Sequence, residues 1–108
     1  MYMINITIGL SGTDPKTGQE IWLSKIEKKN ESEYNIDRLI FLMDRVLDDA
    51  VKFGGDNGLE GVRNYHVQLL VGISSDEEDN IRPSFQLSPR IISRLSAAGA
   101  SFDFDPYV

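Results

Sequence analysis

Ser84-Phe85-Gln86-Leu87-Ser88-Pro89-Arg90-Ile91-Ile92-Ser93-Arg94-Leu95-Ser96-Ala97-Ala98-Gly99-Ala100-Ser101-Phe102-Asp103-Phe104-Asp105 reads as strand, capped helix, glycine stop and strand. Ser84 to Leu87 predicts a short strand. Ser88 is placed to cap the free backbone donors of a helix, and Pro89 falls at its first position, where a missing N–H costs nothing. Ile91, Ile92 and Leu95 predict the helix's inner face, and Gly99 its end. Phe102 and Phe104 then alternate with Asp103 and Asp105, the pattern of a strand with one wet face.

The same reasoning extends upstream. Tyr65, Val67, Leu69, Val71 and Ile73 alternate with His66, Gln68, Leu70 and Gly72, which predicts the longest strand, at the centre of a sheet. Ser74 to Pro83 is then a loop with an acidic tip. Asn35 is placed to cap a second helix, with Asp37 in its first turn. Ile36, Leu39, Ile40, Met43, Leu47, Ala50 and Val51 form its apolar stripe. Phe41, Leu42 and Val46 widen that stripe, and Asp48 pairs with Lys52 one turn on. Gly54-Gly55 stops this helix after about nineteen residues, roughly 28 Å. Leu59 to Asn64 is left as an open case, with a short helical turn as one reading.

Nearer the start, Ile4, Ile6, Ile8 and Leu10 alternate with Asn5, Thr7 and Gly9 as a half-buried strand. Glu20 to Ile26 predicts a second strand, paired with the first as a hairpin across a turn-rich connection. Glu27 to Glu33 is polar and reads as an exposed loop. Trp22 is expected in the core with its indole N–H satisfied nearby, whereas an exposed Trp22 would mark a binding hot spot.

These elements predict one α+β domain over residues 1–108, in the order β-β-α-β-β-α-β. Helices with a single apolar stripe need a sheet face to cover. The expected architecture is a two-layer sandwich, with both helices on one face of a mainly antiparallel five-stranded sheet. If the strands flanking the long helix are parallel, the crossover is right-handed.

With 41% hydrophobic and 26% charged residues, the composition excludes wholesale disorder. The chain has no cysteine, so neither a disulfide framework nor a thiolate metal site is open to it, which suits a reducing cytoplasm. The start has no signal-peptide pattern, and no apolar run approaches the ~20 residues that span a bilayer. The net charge of -6 disfavours direct binding to nucleic acid.

Motifs for catalysis are absent: no phosphate-cradling loop, dinucleotide fingerprint or nucleophile elbow occurs. His66, the single histidine, has no cysteine or second histidine to share a metal, and a general base would need an orienting carboxylate. Asp76-Glu77-Glu78-Asp79 lacks the spacing of a calcium loop. It reads as a solvated run or as a recognition tip for a basic partner. Asp103 and Asp105 are two residues apart on a strand, which suits a solvent-facing surface and demands no chemistry. No metal, cofactor or enzymatic activity is expected.

Two segments resemble the bacterial family catalogued as domain of unknown function 4279. One is Ile21-Trp22-Leu23-Ser24 ahead of the long helix. The other runs from Phe85-Gln86-Leu87-Ser88-Pro89 through Ile91-Ile92-Ser93-Arg94-Leu95 and Gly99-Ala100 to Phe102-Asp103-Phe104-Asp105-Pro106-Tyr107. The resemblance covers about residues 20 to 108. Family members place a longer segment before the tryptophan, so this chain resembles a shortened version. The resemblance implies an α+β domain without established catalytic residues. Small acidic bacterial proteins of this kind often neighbour secreted toxins.

The expected function is therefore binding: an immunity protein that covers the active site of a cognate toxin, such as a nuclease with a basic cleft, into which an acidic cap is steered. The expected contact residues are Asp76, Glu77, Glu78, Asp79, Asp103 and Asp105. A small-molecule or peptide-binding module on the open sheet face, with a pocket near Trp22 and Leu70, is the alternative. A structural domain that oligomerises through an edge strand is another, and monomer and homodimer both stay open.

Overall fold

The inward alternation of Ile4, Ile6, Ile8 and Leu10 builds strand β1 (Ile4–Thr13), which turns back through Asp14–Gln19 into β2 (Glu20–Glu31). The computed structural model describes residues 4–31, 35–75 and 86–107. The hairpin turn is held by Asp14 N–H donating to the Gln19 carbonyl at 2.9 Å and by Lys16 N–H donating to Asp14 Oδ1 at 2.8 Å. Helix α1 (Ile36–Ala50) follows, then 3-10 turns over Val51–Asn57, a short helix α2 (Leu59–Val62) and a 3-10 turn over Arg63–Tyr65. Strand β3 (Gln68–Ser75), helix α3 (Pro89–Ala98) and strand β4 (Ser101–Tyr107) complete the order.

Among the described residues the sheet has four strands, in the order β2-β1-β3-β4. β1 is antiparallel to β2 and to β3, while β4 lies parallel to β3. The architecture is α+β, but the expected five-stranded, mainly antiparallel sheet with two helices is corrected to a mixed four-stranded sheet with three α-helices among the described residues. Of the expected strand over 84–87, Ser84 and Phe85 lie outside the described residues, and Gln86 and Leu87 are not in a strand. α3 is thus the crossover between two parallel neighbours. β2 and β3 also run parallel, with β1 between them, so α1 carries the chain over β1.

The expected loop from Glu27 is corrected as well: β2 continues through Glu31, beside the first residues of β1. As an edge strand, β2 tolerates the Lys and Glu residues that read as loop, and such charges deter unwanted edge pairing. β2, with 12 residues, is also longer than β3, with 8. The stretch Tyr65–Val67 is not strand; His66 instead adopts a left-handed backbone with φ 51°.

The caps follow the local chemistry. Arg38 N–H donates to Asn35 Oδ1 at 2.7 Å, and Ile91 N–H to Ser88 Oγ at 3.2 Å. Gly99 closes α3 with φ 63°, a conformation that a Cβ opposes. Arg63 reinforces that end from a distant turn, donating from Nε and Nη2 to the carbonyls of Ala97 and Ser96 at 2.7 and 2.8 Å.

One cluster forms the core. Ile4, Ile6, Ile8 and Leu10 meet Leu69, Val71 and Ile73 from β3, Leu39, Leu42, Met43, Val46 and Leu47 from α1, and Ile91 and Leu95 from α3. Phe41 does not join it; it is 52% exposed, with the Arg45 guanidinium 6.0 Å from its ring. Asp48 does not serve Lys52 but α3. Arg94 Nη2 donates to Asp48 Oδ1 at 2.6 Å, and Nη1 to Asp44 Oδ1 at 2.7 Å and to the Asp44 carbonyl at 3.2 Å. Burial alone would lower the Arg94 pKa, but the hydrogen bonds to both aspartates outweigh it and the net direction is upward. This guanidinium locks the two helices together.

Candidate functional site

Because α1 and α3 pack into one shared cluster, the opposite face of the sheet is left open among the described residues. Strand alternation decides what it carries. With Ile6, Ile8 and Leu10 inward, β1 presents Asn5, Thr7, Gly9, Ser11 and Thr13 outward; β3, by register, presents Gln68, Leu70, Gly72 and Ser74. These are mostly small residues, so the two central strands form a low floor.

Trp22 stands over that floor, contrary to the expectation of a core anchor. It is 47% exposed. The cause is a β-bulge: Leu10 pairs with Ser24 and Ser11 with Trp22, so Leu23 is an extra residue on β2. Leu23 and Ser24 are both buried, and alternation restarts beyond them with the opposite parity. Without the extra residue, Trp22 would share the inward face with Ser24 and Ile26. The bulge converts a core tryptophan into a surface one.

Gly9 is the seat of the indole. A Cβ placed there would lie 2.5 Å from Trp22 Cζ3 and 2.8 Å from Cε3, so the ring rests where a side chain would be. A glycine inside a strand marks such close approaches. Lys25, the Cα partner of Gly9, holds its Nζ 4.9 Å from the Trp22 ring centroid and 3.0 Å from Glu27 Oε1. The Lys25 hydrogen bond, then its charge, holds the Glu27 carboxyl below its ordinary pKa, with Lys29 adding to the effect.

Two hollows meet at Trp22 and Leu70. One, of about 470 Å³, is bounded by Ser11, Thr13, Glu20, Trp22, His66, Gln68 and Leu70 among others. The other, of about 280 Å³, lies between Trp22, Leu70, Asn5, Thr7, Gly72 and Ser74. Together they form a groove along β1 and β3, with indole and leucine as its waist. His66 reaches the first hollow from its left-handed turn, not from mid-strand. Non-glycine residues held at positive φ cluster at functional sites.

The expected contact residues are divided by the structure. Asp76, Glu77, Glu78 and Asp79 lie outside the described residues. Asp103 is opposite Leu70 on β4, on the outer face, since Phe102 and Phe104 pack against the core. Asp105 has Gly72 as its Cα partner. One row across the sheet therefore reads Lys25, Gly9, Leu70, Asp103, with three inter-strand steps of roughly 14 Å from lysine to aspartate. The residues missed from sequence are Gly9, Lys25 and Glu20. Their signal was present in the small outward series Thr7, Gly9, Ser11 and in the mid-strand glycines, but the bulge hid how Trp22 relates to it. What this arrangement offers is recognition: an aromatic plate, a cation beside it, hydroxyls and amides along a groove, and carboxylates at its margins.

No helix among the described residues is long and apolar enough to cross a membrane, and none of the described His, Asp and Glu residues form a group of three suited to a metal ion. The chain belongs to the family described as domain of unknown function 4279 (DUF4279), whose family model matches residues 11–108. The match thus begins upstream of the segment in which the resemblance was read. Comparison with curated proteins yields no match, and comparison with solved structures yields none.

Proposed function

We propose that this DUF4279 member is a non-catalytic binding protein whose recognition surface is the open outer face of the sheet, and that it serves as the inhibitor of a cognate protein toxin in the bacterial cytoplasm. The observation that supports this reading is Trp22. A bulge turns it outward and a glycine seats it in the middle of a groove, where a large amphipathic ring has no packing role that needs such exposure. Tryptophan dominates binding energy when it sits at the centre of a contact surface. The net charge of -6 and the position of Asp103 on the same face favour a basic partner, steered in by its own field. Asp105 and the acidic run Asp76, Glu77, Glu78 and Asp79 stay in the proposal as further contacts.

A second reading, a small-molecule or peptide-binding module, is favoured by the hollows flanking Trp22. One experiment separates the two. The wild-type chain and Trp22→Ser are used to capture partners from the native host, and each captured protein is tested for toxicity and for protection by the wild type. Loss of the captured protein with Trp22→Ser, at unchanged circular dichroism, supports the outer face as the interface. A toxin still bound by Trp22→Ser moves the interface elsewhere. Reversing the four charges at 76–79 is expected to slow association and weaken its salt dependence.

A further inference from the structure

The groove carries information about what fills it. The indole of Trp22 already has a cation beside it, the Lys25 ammonium at 4.9 Å, held there in part by Glu27 at 3.0 Å. Cations gain from the face of an indole more than from any other side-chain ring. Charge within the groove points the same way. Glu20 borders the larger hollow, and no described lysine or arginine lines either hollow. Asp103 stands at the far side of the row through Leu70.

The dimensions suit a chain segment. Outward positions of β1 run from Asn5 to Thr13, eight steps of ~3.3 Å, roughly 26 Å of floor. That length accepts an extended segment of about eight residues, with its middle over the waist at Trp22 and Leu70.

We propose that the groove takes up an extended basic segment of a protein partner, and that an arginine or lysine of that segment replaces Lys25 at the Trp22 ring, with Glu20 as its counter-charge. This rests on the outer face being the recognition surface. It goes further in naming the ligand chemistry, and in giving Lys25 the role of a resident placeholder that the incoming cation displaces. No bond is made or broken; one ion pair and one ring contact exchange for another.

The test uses the full chain and a hexa-arginine peptide, followed by calorimetry and by the emission of Trp22, the single tryptophan. Hexa-glutamate and a neutral cello-oligosaccharide are run alongside. Hexa-arginine is expected to bind, to perturb Trp22 emission and to weaken with salt. Trp22→Leu should weaken it roughly 3- to 30-fold, the range a cation–aromatic contact spans. The decisive pair is Lys25→Met against Lys29→Met. Both remove one positive charge from β2, but only Lys25 stands at the ring. Lys25→Met should tighten binding at least about threefold more than Lys29→Met, a difference of ~0.65 kcal/mol. Equal effects of the two lysine variants, or hexa-arginine binding indifferent to Trp22→Leu, would overturn the placeholder role and leave only general charge attraction. Binding of the oligosaccharide but not of hexa-arginine would overturn the cationic segment while leaving the outer face as a binding surface. A host partner retained by Trp22→Ser would instead sink the surface itself.

Discussion

Replacing Gly9 by alanine is a sharp perturbation of this molecule, because two opposing effects meet at one methyl group. Glycine inside a strand destabilises by roughly 0.5–1 kcal/mol relative to alanine, so the backbone alone should gain from Gly9→Ala. The new Cβ, however, would fall 2.5 Å from Trp22 Cζ3, and the ring must leave its seat. Trp22 is 47% exposed, so about half of a side chain of roughly 250 Å² is covered. Displacing the ring from about half of that contact forfeits ~60 Å², or about 1.5 kcal/mol. Loss of the Lys25 contact adds ~0.5 kcal/mol. The net expectation is a destabilisation of about 1 kcal/mol, a fall in Tm of ~4–8 °C for a chain of this size. In a Trp22→Ala background the sign reverses, since the next neighbour of the new Cβ, the Ser24 carbonyl oxygen, is at an ordinary 3.4 Å. There Gly9→Ala should stabilise by ~0.5–1 kcal/mol. Urea unfolding of the four proteins closes a double-mutant cycle with an expected coupling of about 2 kcal/mol. Trp22 emission should shift to the red in the single variant. Coupling within ~0.3 kcal/mol of zero, with unchanged emission, would refute the seat and with it the reason for reading Trp22 as held outward.

Other outcomes follow from the same geometry. Arg94→Met removes charge-assisted hydrogen bonds to Asp44 and Asp48 from a guanidinium only 14% exposed, and should cost about 2 kcal/mol in urea; the limb to the exposed Asp48 adds little of this. Arg94→Lys should recover less than half, because an ammonium cannot span both carboxylates. Ser88→Ala should lose about 1 kcal/mol by uncapping α3, and Gly99→Ala about 1–2 kcal/mol through its left-handed φ, both measurable by thermal unfolding. For Glu27, the folded pKa is lowered by Lys25, so the Lys25–Glu27 contact is complete above the ordinary glutamate value, about 4.3, and is lost only as pH falls through the lower folded value. A carboxyl-resolved NMR titration should place the Glu27 midpoint below that of an unstructured glutamate, and Lys25→Met should return it toward that value.

Features decided within a few residues were legible in the sequence. Asn35 and Ser88 announced their helices, Gly99 its stop, and the alternations at Ile4–Leu10 and Phe102–Phe104 their wet and dry faces, because capping and pleat are local physics. Contacts between distant segments escaped. Asp48 has Lys52 one turn away as a local candidate, yet Arg94 takes it from 46 residues along the chain. Arg63 read as an ordinary charge in an ambiguous stretch and turns out to finish a helix that starts 26 residues later. The polar run after Ile26 is strand only because β1 offers it a pairing edge.

Trp22 shows the boundary most clearly. Its chemistry and its place in the second strand were readable in the chain, but the direction in which it points was not. Side chains alternate strictly along a strand, so a single unpaired residue reverses every position beyond it. Whether Leu23 is that residue depends on how β2 registers against β1, a relation between two segments that neither encodes alone. The amino-acid sequence by itself determined the two long helices, their caps and the alternation of β1, because these arise from neighbours in the chain. Tertiary pairing decided the sheet order, the parallel placement of β4 and the outward turn of Trp22, because register is settled only when strands meet.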